Sequence, residues 1–193
     1  MRTCTPCRLC CKIFPLPVLD KPADVWCEYA CSTGCSVHDQ GRPPVCREYD
    51  CYWIEHAEMP EQYRPDRIGI VVTESGTVTI GTREIGVLLL NHASAEARDT
   101  HEAQALLADV VAKGMIAMVL FGPDLEIVYD RARYQGVSPR DIEVAYRYEL
   151  SQDADELRRL GAVEDDYRPL TWTEAEALAQ RPPGDDGDSP QPQ

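Results

Sequence analysis

No cysteine occurs after residue 51 of this 193-residue chain, and it contains only two phenylalanines. No stretch approaches the roughly 18–20 apolar residues needed to cross a bilayer. The opening MRTCTPCRLCCKIF lacks the apolar core of a secretory signal. These two absences set the expectation of a cytoplasmic protein with no membrane partner. Basic residues are also scarce, with 19 Lys/Arg against 33 Asp/Glu and a net charge of −14. The imbalance lies mostly in residues 61–193, which hold 13 Lys/Arg against 25 Asp/Glu. Such a surface repels phosphate backbones, and no local basic patch offsets it, so no nucleic-acid partner is expected. A glycine-rich phosphate loop, a nucleophile elbow and an HExxH helix are all missing, so the commonest nucleotide, acyl-transfer and zinc-peptidase chemistries have no footing here.

All nine cysteines crowd into residues 4–51. Cys4, Cys7, Cys10 and Cys11 form a CxxCxxCC run. Cys27, Cys31 and Cys35 follow at four-residue steps, and Cys46 and Cys51 close the set. A reducing compartment works against structural disulfides, and an odd count cannot pair completely within one chain. Thiols at two- and three-residue spacings instead suit a metal, because a CxxC turn brings two sulfurs to one ion. Three cysteines at CxxCxxC are also an iron–sulfur ligand pattern, completed by a remote fourth cysteine such as Cys46. All nine are candidate metal ligands, and the expected cofactor is zinc or iron, including an iron–sulfur cluster.

Several positions carry two readings. Adjacent side chains tend to diverge, so Cys10 and Cys11 either split into ligand and core or feed neighbouring sites; one site and two sites both remain open. Cys51 precedes Tyr52 and Trp53 and is either a ligand or a buried core thiol. His38 is a nitrogen ligand or a loop histidine beside the cluster. Arg42 either pairs with a carboxylate at its Pro-Pro turn or donates hydrogen bonds to ligand sulfurs. His56 is read as a solvated residue near Glu55 and Glu58. His92 and His101 are read as exposed or at a helix N-terminus. The carboxylates of 153–166 read as a solvated helix and its exit.

The cysteine order, with Trp26-Cys27, Gly34-Cys35 and then Arg42-Pro43 ahead of Cys46, resembles the YkgJ-like cysteine-cluster family. The likeness covers residues 4–53. It implies a zinc- or iron-chelating domain with Cys4, Cys7, Cys10, Cys11, Cys27, Cys35 and Cys46 as the family cysteines. Cys31 and Cys51 lie outside the widest form of that pattern, and His38 stands where tyrosine is usual. One branch of the family, the flagellin lysine N-methylases, carries the cysteine domain within a larger protein.

The expected fold class is α+β. Residues 1–60 form a loop-rich segment, punctuated by proline, that depends on metal to fold. It is expected to pack on a small, mostly antiparallel sheet with its helices on one face. Strands are expected over 68–73 and 77–80 with a tight hairpin at 74–76, while 85–90 is either a strand or a short helix. Residues 101–113 have helical spacing with Thr100 or Asp99 as the N-cap and Gly114 beyond the end. A hairpin over 115–121 and 125–129 should turn at 122–124. Ser138 and Asp141 form a capping box for a helix to about residue 150, with a further turn to Leu160 and a stop at Gly161. The α+β domain spans 66–165, and 181–193 reads as a disordered acidic tail.

The function expected from these residues is non-enzymatic metal handling or a structural metal site. Two alternatives stand beside it: an iron-dependent enzyme component, for example in protein modification, and a zinc-stabilised module displaying loops to a protein partner.

Overall fold

A computed structural model describes residues 2–39, 41–122, 124–152 and 168–180. Its first third is built of short pieces. Helix α1 (Cys10–Ile13) is a single turn. Strands β1 (Ala30–Cys31) and β2 (Gly34–Cys35) pair antiparallel. Helices α2 (Pro44–Glu48), α3 (Tyr52–Glu55) and α4 (Pro65–Ile68) follow. Proline opens α2 and α4, where its missing N–H costs nothing and its fixed φ suits a first turn. Gly69 ends α4 at φ 70°. A Cβ at that position would also stand 2.9 Å from the Ala97 Cβ, so glycine is required there twice over.

Polar clamps hold these pieces. The Lys21 ammonium is buried and donates to the carbonyls of Lys12 (3.1 Å), Pro22 (2.9 Å) and Phe14. Those carbonyls replace the water the charge has lost. Arg2 lies over the Trp53 ring at 4.2 Å and donates to the carbonyls of Trp53 (2.6 Å), His56 (2.7 Å) and Met59, closing the end of α3.

The rest of the chain builds a four-stranded mixed sheet in the order β3 (Ile70–Ile80), β4 (Arg83–His92), β5 (Ile116–Phe121), β6 (Asp124–Val128). The outer pairings are antiparallel and the central β4–β5 pairing is parallel. Helices α5 (Ala95–Arg98) and α6 (His101–Ala112) make the crossover that the parallel pair requires. Thr100 caps α6, accepting from the Ala103 amide at 3.2 Å. Ser138 and Asp141 cap α7 (Pro139–Gln152) reciprocally, and Thr171 and Glu174 form a second capping box on α8 (Trp172–Leu178).

Successive residues of a strand face opposite sides, and here both sides are covered. Leu88, Leu90, Ala117 and Val119 share a core with Leu106 and Val110 of α6. Val87, Ile116 and Met118 share another with Ile142 and Ala145 of α7. The α+β class stands, but the helices occupy both faces rather than one, because the apolar runs of β4 and β5 have two faces to bury. The run at 85–90 is strand. The expected hairpin at 74–76 is instead a β-bulge inside one long strand: the register passes from Glu74↔Leu88 to Thr77↔Gly86, with Gly76 at φ 70°. The true turn lies at 81–82. The segment to Gly161, the end of the 66–165 span and the 181–193 tail lie outside the described residues.

Helices α3 and α4 pack against β3, an edge strand that would otherwise be open. Leu9, Ile13, Tyr52 and Trp53 join the same core as α6. The cysteine-bearing segment is thereby fastened to the β3 side of the sheet.

Candidate metal centre

Four separate stretches bring the thiols together. The turn of α1 presents Cys10 and Cys11. The Cys27 amide donates to the Cys11 carbonyl at 2.9 Å, pinning the second cysteine run to the first. Cys35 sits on β2 beside Gly34, where a Cβ would press to 2.8 Å on the Thr5 methyl; glycine lets the two runs meet. Cys46 arrives on α2.

Between them lies a cavity of about 380 Å³ walled by Cys4, Cys7, Cys10 and Cys11 of the first run, Cys27 and Cys35 of the second, and Cys46. The sheet closes its floor through Thr73, Leu89 and Asn91. Tyr49 stands at the wall, hydrogen-bonded to Thr73 at 2.9 Å and edge-on to Phe14 at 5.3 Å between ring centroids. His38 and Arg42 also line it, and the His38 Nδ1 is 2.9 Å from Asp39.

All nine cysteines are free thiols. Cys51 lies outside the large cavity, buried at the start of α3 and facing a small adjacent void with Cys4, Cys7 and Cys10. Cys31 borders neither space, and its sulfur rests 3.4 Å from the Thr33 hydroxyl. Cys10 and Cys11 both line the large cavity, and Cys10 also borders the small void.

The Cys10 thiol donates to its neighbours and draws Cys4 and Cys11 down to about 7, with Arg42 helping both. The same bonds, together with burial, push Cys10 up. Burial raises Cys7, Cys35 and Cys46, and lifts Cys51 to about 11. The pocket therefore holds proton-bearing sulfurs beside two that ionise readily, and a cation entering it would displace the remaining protons.

Two lining residues carry a further signature. Arg42 Nε and Asn91 Nδ2 are buried without a hydrogen-bond partner among the described residues. Leaving such donors unsatisfied costs about 1–3 kcal/mol each. A bound group bearing acceptor sulfurs would relieve both, so these residues fit an anionic thiolate or iron–sulfur centre. No three of the sulfurs lie within 4.8 Å of one another; among the described residues, the metal-capable set that close is Glu55, His56 and Glu74. His56 stacks on Tyr52 at 3.7 Å, with Glu58 at 3.1 Å on Nδ1 and Glu74 at 3.6 Å on Nε2. Glu74 reaches it from the bulged strand, a pairing with no local trace in the sequence. His92 is buried on β4, against the expectation of exposure, because its position alternates with core leucines. His101 is the first residue of α6.

No helix among the described residues is long and apolar enough to cross a membrane. No family model, curated protein or solved structure matches this chain.

Proposed function

We propose that the protein binds a zinc or iron centre, an iron–sulfur cluster included, in the seven-thiol cavity, with a structural or metal-handling role. One observation carries this reading: cysteines from four separate stretches converge on a single space, and two residues of its lining carry buried donors without a hydrogen-bond partner among the described residues. Core thiols without a ligand role would be dispersed among apolar side chains, as free cysteine usually is. The size of the space narrows the choice. Zinc–sulfur bonds of about 2.3 Å place tetrahedral sulfurs about 3.8 Å apart. No three of the sulfurs here stand that close together, and the cavity has room for on the order of ten water-sized volumes. That volume accommodates more than one metal atom. The likeness of residues 4–53 to the YkgJ-like family, which no family model supports, is not needed for the reading.

A second reading, a metal-stabilised interaction module, is favoured by one surface feature. Val25 and Trp26 are half exposed, and Arg8, a cavity-lining residue, covers the Trp26 ring at 5.1 Å.

Anaerobic purification without a metal-binding tag tests the main reading, through zinc, iron and acid-labile sulfide content and the visible spectrum. Iron with equimolar sulfide and a brown colour supports a cluster. A colourless protein with stoichiometric zinc supports zinc sites. A protein that takes up neither metal while all its thiols remain titratable overturns the proposal.

A further inference from the structure

The large cavity has a small neighbour. A void of about 10 Å³ lies behind the first cysteine run, lined by Cys4, Cys7, Cys10 and Cys51 together with Tyr49 and Trp53. Its volume is that of about one water-sized sphere, which suits a single ion and nothing larger. Cys4, Cys7 and Cys10 form the wall common to both spaces, whereas Cys11, Cys27, Cys35 and Cys46 face only the large one.

Resting on the metal-binding reading above, we propose that the chain holds two adjoining four-thiolate centres. Cys4, Cys7, Cys10 and Cys51 enclose a single ion at the small void. Cys11, Cys27, Cys35 and Cys46 hold the centre of the large cavity. Cys31 is the thiol left over. The adjacent Cys10 and Cys11 then serve different centres. Four thiolates around one divalent ion leave a net charge of about −2, which Arg42 in the lining of the large cavity helps to offset. The sulfurs of each set must draw inward on loading, as expected where metal binding and folding are coupled.

Cadmium is the probe, because its thiolate sites report individually in cadmium-113 NMR. The metal-free full-length protein, titrated anaerobically, should saturate at two cadmium ions per chain and give two resonances at sulfur-rich shifts. Cys51→Ser should remove one resonance and half of the bound metal. Cys46→Ser should remove the other, Cys31→Ser neither, and the Cys51→Ser/Cys46→Ser double variant both. One resonance in the wild-type protein, or full metal retention in Cys51→Ser, overturns the partition while leaving metal binding intact. Failure of the wild type to bind cadmium sinks the metal-binding reading itself. The wild-type resonance count decides the matter even if a variant folds poorly.

Discussion

The two regions of this molecule are held by different physics. Every one of its ten largest fully buried side chains, among them Ile70, Leu88, Ile116 and Ile142, lies in the sheet and the helices packed on it. Among the described side chains of residues 2–60 the deepest burial is that of Trp53, at 6% exposure, and much of the remaining order comes from the Arg2 and Lys21 clamps on backbone carbonyls. Full burial of a large apolar side chain stabilises by about 1.5–3 kcal/mol, so the sheet region has a driving force of its own. The cysteine region has its thiols instead, and thiols stabilise a fold chiefly once they are ligands.

On the proposed metal-binding reading, the largest effect should come from metal removal. Structural zinc in small domains contributes on the order of 10 kcal/mol, so chelation under reducing conditions should open residues 2–60 to proteolysis. Hydrogen-exchange protection at 87–90 and 116–119 should survive. Uniform loss of protection would break the distinction between the two regions. Next in size is Ile116→Ala, expected to cost about 2–5 kcal/mol through the cavity it leaves, read as a shifted denaturation midpoint. Metal content per folded chain should stay unchanged; a parallel loss of metal would mean that the regions are energetically one.

A smaller effect concerns His92, whose pKa is lowered first by burial and then by Arg98. The unfolded chain therefore takes up this proton before the folded one does. The contribution to stability is intact above about pH 6.5 and declines as pH falls below it toward the folded-state pKa. Denaturation midpoints from pH 8 to pH 5 should show the decline, and His92→Gln should flatten that part of the profile. An unchanged slope would remove His92 from the account. The smallest effect is Ser138→Ala, about 1 kcal/mol from loss of the α7 cap, seen as local fraying of α7 without change at the thiols.

Where the signal is local, the sequence was sufficient. Thr100 and Ser138 announce their helices because a cap is satisfied within three residues. The Thr171–Glu174 box that starts α8 is a signal of the same local kind. The signal misled at 74–76, where a serine and a glycine suit a hairpin and a bulge alike. Only the pairing of Thr77 with Gly86 separates the two. His92 was misplaced for a related reason: it follows Leu88 and Leu90 at the two-residue period of a strand face, which reads as burial only once that run is strand rather than helix.

By itself, then, the sequence determined that thiols crowd one end of the chain, that the remainder is α+β, and where two of its helices begin. Each of these follows from composition or from bonds spanning a few residues. Tertiary structure decided which thiols share a space. It placed seven around one cavity, set Cys51 behind its wall and left Cys31 outside. It also supplied Asn91 from a strand 45 residues beyond Cys46 as part of the lining. Those placements depend on how the proline-broken segment folds across the edge of the sheet. Packing between distant segments sets that path, and no local spacing of cysteines carries the information.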